Sequence, residues 1–260
     1  MKRLLHYLQA AVLLGLALVA GAALALRLAR GSASDPVPIA PDVLGVRSAG
    51  GVWLFAARVG NRVLLFDTGV DPDGHPVDAL LQELRAKRGD VSDVFLTHGQ
   101  VEQTAAVHLF PGAAVHAGAA DVPLAAGAAG PSPSPVSRVL ELVVRPSPVR
   151  VTDPLSGTRV LAVGPGRNVV ALPAAGHTPG SYAYLYQGVL FAGDVVWYGE
   201  GRLGPTPPPF EQAGKESSKG ILTLAAEVDD RDVDVVCTSH GGCTPTGEGK
   251  RLLRQLAARL

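Results

Sequence analysis

Four side chains with metal-binding or acid–base chemistry stand at the ends of apolar segments in this chain of 260 residues. His98 follows "DVFLT", His177 follows "NVVALPAAG", Asp194 follows "VLFAG" and His240 follows "DVDVVCTS". Each apolar segment is typical of a buried β-strand, and residues at strand ends can converge on one edge of a sheet. Imidazole and carboxylate groups bind transition metals and also transfer protons in catalysis. The sequence therefore predicts one site formed by these four residues.

A polar segment, "HGQVEQ" at residues 98–103, interrupts the apolar pattern directly after the first of these strands. Glu102 brings a carboxylate that can act as a ligand or position a water molecule. Gln100 and Gln103 bring neutral carboxamides, whose oxygen is a weak donor that zinc rarely selects in proteins. The segment thus combines one strong donor, His98, with one carboxylate and two weak donors.

The elements that must position these residues are predicted from the spacing of apolar side chains. Two hairpins are expected, one turning at Gly60–Asn61 and one at Gln187–Gly188, because each pair separates two short apolar runs. The segment "PVDALLQELRAKRGD" predicts an amphipathic helix with Gly89 as its stop signal. A C-terminal helix is predicted with three leucines on one face: Leu253, Leu256 and Leu260.

Composition limits the classes of partner. The 23 basic and 23 acidic residues cancel, and no run of like charges occurs, which argues against electrostatic binding of nucleic acid. With 47% hydrophobic residues the chain can bury a core of substantial size. Nucleic acid is therefore not an expected partner.

The N-terminal residues 1–34 form a separate unit. Lys2 and Arg3 precede an uncharged apolar stretch from Ala10 to Leu26, and charge resumes at Arg27. This length is close to the roughly 20 residues that span a bilayer and exceeds a usual signal-peptide core. We predict a single-pass membrane anchor, with an exported protein released by signal cleavage as the alternative.

A change in composition marks the next boundary. Residues 35–50 begin "DPVPIAPD" and are predicted to be an extended linker, because proline neither packs nor donates regularly there. Residues 51–260 are predicted to form the folded domain. Its proline-rich segments, Gly130–Pro135 and Gly204–Phe210, are predicted to be loops that cover the site.

The order of five motifs resembles the metallo-β-lactamase-fold hydrolases, a superfamily that includes glyoxalase II-like thioesterases. The motifs are "FDTG", "THGQVEQ", "GHTPGS", "AGDVV" and "SHGG", and together they cover nearly everything after Gly51. The resemblance implies an α/β fold: an αββα sandwich of two mixed β-sheets flanked by helices. Here the N-terminal membrane helix would precede it. The resemblance also implies a site at one edge of the sandwich.

The family's central motif, His-x-His-x-Asp-His, is degenerate in this chain. The resemblance implies seven metal-ligand positions, which fall on His98, Gln100, Glu102, Gln103, His177, Asp194 and His240. Three of these positions depart from the family pattern, because two imidazoles are replaced by carboxamides and the aspartate by a longer glutamate. Each lost imidazole is expected to weaken zinc binding substantially, which disfavours a dinuclear zinc centre.

Two states of the site stay open at this point. His98, His177 and Asp194 can hold one Zn²⁺ or Fe²⁺, with His240 and Glu102 nearby and Gln100 and Gln103 as weaker donors. Alternatively, no metal binds and the same residues form a hydrogen-bonded polar cluster.

Two further features carry open alternatives. Asp67 in "FDTG" resembles the family's aspartate that supports the ligand loop, and it is equally typical of a turn. Cys237 and Cys243 flank His240, so a thiolate ligand, a buried thiol and a disulfide in an exported domain are all possible. His75 is predicted to lie in a loop, and His108 and His116 to have structural roles.

These observations support two hypotheses of function. The first is a membrane-tethered, metal-dependent hydrolase of an ester, a thioester or a similar small substrate, with Glu102 and Asp194 as the catalytic residues. The second is a catalytically inactive pseudoenzyme that acts as a binding or scaffold domain.

The alignment of the degenerate motif generates a prediction. The triple variant Gln100→His, Glu102→Asp and Gln103→His restores the family's donors, so we expect it to bind zinc more tightly than the natural chain. Titration against a competing zinc chelator measures the change. An unchanged affinity would show that these three positions are not the family's ligand positions.

Overall fold

The computed structural model describes residues 32–128, 147–207 and 215–260, together with the isolated positions 15, 20, 21, 24 and 144. Fifteen strands lie in this part of the chain. They are β1 Val37–Ala40, β2 Val43–Arg47, β3 Trp53–Val59, β4 Arg62–Phe66, β5 Val91–Phe95, β6 Ala114–Gly118, β7 Asp153–Leu155, β8 Arg159–Gly164, β9 Arg167–Pro173, β10 Tyr182–Tyr186, β11 Val189–Gly193, β12 Trp197–Gly199, β13 Arg202–Gly204, β14 Val235–Thr238 and β15 Gly242–Cys243.

Five α-helices are described, two of them a single turn long. They are α1 His75–Glu83, α2 Val101–Thr104, α3 Val122–Ala125, α4 Lys215–Glu227 and α5 Gly249–Ala257. Short 3-10 helices lie at Ala49–Gly51, Arg88–Asp90, Val107–Leu109 and Ala119–Asp121.

The strands form two mixed sheets, as the family resemblance implied. The first sheet has seven strands in the order β1-β2-β3-β4-β5-β6-β7, and the second has six in the order β15-β14-β11-β10-β9-β8. In the first sheet the pairs from β4 to β7 are parallel and the others antiparallel. In the second sheet only β11 and β14 pair in parallel. A separate ribbon consists of β12 and β13.

Successive side chains of the strands point to opposite faces of each sheet, and the apolar ones form three layers. In β4, Leu64 and Phe66 face the second sheet, whereas Val63 and Leu65 pack beneath α1 on the outer face. The outer face of the second sheet packs against α4 and α5. This arrangement is the predicted sandwich of two sheets between helices.

Both predicted hairpins are present. Gly60 and Asn61 connect β3 to β4, and Gln187 and Gly188 connect β10 to β11. Gln187 and Gly188 both have positive φ, at 48° and 77°, as a two-residue hairpin turn requires.

The predicted linker at residues 35–50 is wrong, because this segment forms β1 and β2 of the first sheet. Val43 and Val46 are buried in the core, and a further bridge pairs Ala33 with Ser48. Pro38 is accommodated because β1 is an edge strand, where a residue without an N–H group leaves no partner unpaired. The folded unit therefore begins well before Gly51.

Two helix predictions need correction at their ends. The helix predicted to stop at Gly89 ends at Glu83, and Arg85 takes a left-handed conformation with φ of 51°. Leu260 lies beyond α5 and is exposed, so Leu252 joins Leu253 and Leu256 on the buried face.

Three predicted segments fall wholly or partly outside the described residues. Most of the N-terminal segment 1–34 lies there, as do residues 130–135 and 208–210 of the predicted covering loops. Among the residues that are described, no helix combines the length and the apolar character needed to cross a membrane.

The stacking of phenylalanines between the sheets generates a prediction. Phe66 on β4 lies 3.8 Å from Phe191 on β11 and 5.3 Å from Phe95 on β5, measured between ring centroids. We expect Phe66→Ala to lower the free energy of unfolding by about 3–5 kcal/mol, because it leaves a cavity between the sheets. Urea denaturation measures this change, with the exposed Val160→Ala as the control. A loss below about 1 kcal/mol would contradict the assigned packing.

Candidate metal centre

The four predicted site residues meet at one edge of the sandwich. His98 and His177 follow β5 and β9, and Asp194 and His240 follow β11 and β14. They therefore come from both sheets: His98 from the first, and the other three from the second. The loops are held together across the sheets, since Tyr182 N–H donates to Thr97 O at 2.8 Å and Trp53 N–H to Ser239 O at 2.8 Å.

Asp194 lies at the centre of the cluster. Its Oδ2 atom is 3.9 Å from Nε2 of His98, 3.7 Å from Nε2 of His177 and 3.6 Å from Nε2 of His240. Candidate ligand atoms of His98, His177 and Asp194 all lie within 4.8 Å of one another, and all three residues are buried. One imidazole nitrogen from each histidine thus faces the same carboxylate oxygen.

Gln100 lies between two of the imidazoles. Its Oε1 atom is 3.0 Å from Nε2 of His98 and 3.0 Å from Nε2 of His177. The two rings meet edge to face, with centroids 4.8 Å apart. The carboxamide oxygen therefore occupies a position from which it can accept protons from both rings or share a cation with them.

Burial favours the neutral forms of His98 and His177, whereas neighbouring groups keep the Asp194 carboxylate charged. Burial lowers the pKa of His98, and it lowers that of His177 to about 4, although Asp194 acts in the opposite direction on both. Burial alone would raise the pKa of Asp194, but His240, His177, His98 and a hydrogen bond from Ser239 bring it below its usual range. These shifts favour a buried Asp194 anion beside neutral His98 and His177 rings.

Glu102 and Gln103 are buried on the short helix α2. Nε2 of Gln103 donates to Oγ of Ser239 at 3.3 Å, while its Oε1 has no hydrogen-bond partner among the described residues. Gln103 therefore connects α2 to the loop that carries His240, on the side where the family pattern would place a second metal.

Asp67 supports the His98 loop through Thr97. Thr97 donates its backbone N–H to Oδ1 of Asp67 and its hydroxyl to Oδ2, each at 2.8 Å. The Thr97 hydroxyl also lies 3.2 Å from Nδ1 of His98. Burial raises the pKa of Asp67 to about 8, against the opposing effect of these two hydrogen bonds.

This chain of three residues links the protonation of Asp67 to the tautomer of His98. When Asp67 is ionised, the Thr97 hydroxyl donates to it and accepts from Nδ1–H of His98, which leaves a lone pair on Nε2. When Asp67 holds a proton, the Thr97 hydroxyl donates to Nδ1, and His98 carries its proton on Nε2. Only the first arrangement prepares His98 as a metal ligand.

The position of His240 depends on aromatic packing and on a tight turn. Its ring stacks on Trp197 at 5.3 Å, with 14° between the planes, and Thr238 Oγ1 donates to its carbonyl oxygen at 2.9 Å. Gly241 follows with φ of 117°, and a Cβ atom there would lie 1.9 Å from Tyr198 O. Only glycine permits this close approach of the two backbones.

Sequence reasoning missed Asp121, a buried residue at the end of the 3-10 helix that follows β6. Its carboxylate accepts hydrogen bonds from Gly99 N–H at 2.8 Å, Thr178 Oγ1 at 2.6 Å and Gly180 N–H at 2.8 Å. The same rule that selected His98, a polar residue after an apolar strand, would have selected Asp121 after "AVHAG".

The profile of the Metallo-beta-lactamase superfamily matches residues 47–240. The chain belongs to this superfamily. A comparison with functionally curated proteins finds no match.

Solved structures of metallo-β-lactamases have the same fold. The Cronobacter sakazakii metallo-β-lactamase described by its HARLDQ motif has 18% identity, covers 82% of this chain and 80% of its own, and gives a TM-score of 0.61. BJP-1, a subclass B3 enzyme of Bradyrhizobium japonicum, has 17% identity, with 89% and 94% coverage and a TM-score of 0.62. A B3 enzyme described as having an active-site glutamic acid has 16% identity, with 87% and 88% coverage and a TM-score of 0.62. At these identities the matches establish the fold.

Other candidate residues of this metallo-β-lactamase-fold chain lie outside the cluster. Cys237 and Cys243 form a disulfide between β14 and β15, so the thiolate-ligand alternative is wrong. His75 is the first residue of α1 and not a loop residue. His116 on β6 contacts Asp93 at 2.9 Å and Asp153 at 2.8 Å, which is a structural role.

The link between Asp67 and His98 generates a prediction. In Asp67→Asn, Oδ1 still accepts from Thr97 N–H, but the new NH₂ group donates to the Thr97 hydroxyl, which must then donate to Nδ1 of His98. We expect metal-free Asp67→Asn to hold His98 in the Nε2–H tautomer at every pH at which the ring is neutral. Imidazole ¹⁵N NMR measures the tautomer. A ring that carries its proton on Nδ1 in this variant would contradict the proposed chain of hydrogen bonds.

Proposed function

We propose that this chain is a metal-dependent hydrolase with one divalent ion, Zn²⁺ or Fe²⁺, held by His98, His177 and Asp194. The observation that carries the proposal is the convergence of the imidazole nitrogens on Oδ2 of Asp194. The neutral His98 and His177 imidazoles beside a buried carboxylate form a set of electron-pair donors without a counter-charge, which a divalent cation would supply.

The spacing of the donors is compatible with such an ion. Ligands about 2.0–2.1 Å from a tetrahedral zinc ion are separated from one another by roughly 3.4 Å. His98 and His177 lie 3.9 Å and 3.7 Å from Asp194, and Gln100 Oε1 lies 3.0 Å from both imidazoles. Small shifts of these side chains would produce ligand distances, with Gln100 as a weak fourth donor.

The donors on the other side of the cluster favour one ion over two. Gln103 donates from its NH₂ group to Ser239, so only its weakly donating Oε1 could face a cation in place of the family's imidazole. His240 remains close to Asp194 at 3.6 Å, and Glu102 is buried on the adjacent helix. A dinuclear centre would need both Gln103 and Gln100 to replace imidazoles.

In this proposal the residues divide the work of hydrolysis. A bound divalent ion supplies a Lewis acid beside Asp194. Glu102 or Asp194 would accept a proton from the attacking water, and His240, stacked on Trp197, is the most exposed of the three histidines. When Asp67 is ionised, the Asp67–Thr97 pair keeps the Nε2 lone pair of His98 directed inward.

Two of the similar metallo-β-lactamases bear on the incomplete motif. The HARLDQ motif named for the Cronobacter sakazakii protein shares its first and last residues with "HGQVEQ" at positions 98–103 of this chain. The active-site glutamic acid named for one B3 enzyme matches the residue type of Glu102. We propose a small ester, thioester or related carbonyl compound as substrate, and attachment to the membrane through residues 1–34.

A metal-free binding or scaffold domain is the second candidate, and a specific contact favours it. Gln100 Oε1 lies within hydrogen-bond distance of both imidazoles, as it would if each ring donated a proton from Nε2. His177 Nδ1 has no hydrogen-bond partner in the described part of the chain, whereas a metal-bound histidine usually donates from that nitrogen. In this state two Nε2–H groups, and not a cation, face Gln100 Oε1.

Metal analysis of the purified full chain separates the two candidates. We expect about one equivalent of zinc or iron per chain, lost in His98→Ala and His177→Ala because each removes a strong donor. His108→Ala is the matched control, since its ring hydrogen-bonds to a backbone carbonyl, Ala105 O, at 3.1 Å and is not part of the cluster. Less than about a tenth of an equivalent in the natural chain, with no shift in melting temperature on adding metal, would refute the hydrolase and support the binding domain.

A further inference from the structure

The loops that carry His98 and His177 come from different sheets, so something must set the distance between the two rings. His98 follows β5 in the first sheet and His177 follows β9 in the second. Neither strand pairs with the other, and no ladder of backbone hydrogen bonds therefore fixes their relative position. The loops touch directly through the Tyr182 N–H to Thr97 O hydrogen bond and through Gln100, which lies against both rings. A third segment, which contains Asp121, adds a further connection between them.

The Asp121 carboxylate binds both loops at once. Oδ2 accepts from the backbone of Gly99, next to His98, and from the hydroxyl of Thr178, next to His177. Oδ1 accepts from the backbone of Gly180 in the same loop as His177. Asp121 is 1% exposed, and hydrogen bonds to a buried carboxylate are stronger than those between neutral groups.

Three glycines make this close approach possible. A Cβ atom at Gly180 would lie 2.4 Å from Asp121 N, and one at Gly99 would lie 2.9 Å from Asp121 O. A Cβ atom at Gly118 would lie 2.1 Å from Gly180 O. All three loops are therefore packed backbone to backbone around one carboxylate, and no other side chain could enter without moving them.

We propose that Asp121 is a positioning residue that sets the separation and orientation of the His98 and His177 imidazoles. The expected effect on metal affinity rests on the proposed function. The effect on the positions of the two rings does not require a metal. Asp121 acts through Gly99 and Thr178, and it contacts neither imidazole through these bonds. Both loops donate hydrogen bonds to this one carboxylate.

The principal test is Asp121→Asn in the full chain. Asparagine has nearly the same size and shape as aspartate. Its NH₂ group, however, must face either Gly99 N–H or Gly180 N–H, both of which are donors, so at least one of these hydrogen bonds is lost. We expect zinc affinity to fall by roughly 10–100-fold and the visible spectrum of the cobalt-substituted protein to change. The imidazole ¹H–¹⁵N signals of both His98 and His177 are expected to shift in the metal-free protein.

Two further variants keep the test decisive if Asp121→Asn does not fold. Thr178→Val removes one bond to Asp121 with little change in size and should shift the His177 signal and weaken zinc, whereas Thr178→Ser keeps the hydroxyl and should restore both. Asp71→Asn is the matched control. Asp71 is also a buried aspartate, but its hydrogen bonds go to Asp73 and His75 in its own turn.

The outcomes separate this inference from the proposed function. If the natural chain binds no metal, the hydrolase proposal fails, and the imidazole signals alone decide the role of Asp121. Unchanged signals of His98 and His177 in folded Asp121→Asn, or in Thr178→Val, would overturn the positioning role. So would equal shifts in Asp71→Asn, because they would indicate a general loss of rigidity.

Discussion

The burial of the Asp194 carboxylate is the constraint on which the site depends. A charged carboxylate removed from water is costly unless nearby groups compensate it. Here three imidazole nitrogens lie within 3.6–3.9 Å of one of its oxygens, and Ser239 donates a hydrogen bond. Because these groups come from separate strands, the anion can stay buried only if both sheets hold their loops in place.

The histidines compensate the charge only in part. Burial depresses the pKa values of His98 and His177, so both rings are neutral near neutral pH and present dipoles to Asp194. A divalent cation would supply the missing positive charge, whereas without a cation the Nε2–H groups of the neutral rings would offer only their dipoles to Asp194 and to Gln100 Oε1. The hydrolase and the binding domain are thus two solutions to one electrostatic problem, and the proton on the Asp67–Thr97–His98 chain differs between them.

The fold brings segments of the two sheets into close contact at this edge. Gly193 precedes Asp194, and a Cβ atom there would lie 2.5 Å from the side chain of Thr97. Tyr184 on β10 donates its hydroxyl to Leu96 O at 2.8 Å, which holds the end of β5 against the second sheet. Behind this edge, stacked phenylalanines pack the two sheets against each other. At the edge itself, Asp121 accepts hydrogen bonds from both ligand loops. Apolar packing therefore sets the coarse distance between the sheets, while buried hydrogen bonds set the fine geometry of the rings.

The sequence by itself determined the hairpins, the family and the four residues that converge. Apolar runs of strand length, two-residue turns and polar residues at strand ends are local signals, and each is set by neighbouring side chains. The two sheets and the outer helices followed from the family resemblance.

Only the tertiary structure decided how the rest of the chain contributes. Residues 35–50 resemble a linker because proline is rare in strands. Pro38 is nevertheless accommodated because β1 is an edge strand. The role of Asp121 depends on contacts between residues 22 to 59 positions apart, and Gln100 contacts His177 across 77 positions. Such contacts leave no periodic trace in the sequence, because they arise from the packing of loops from separate sheets.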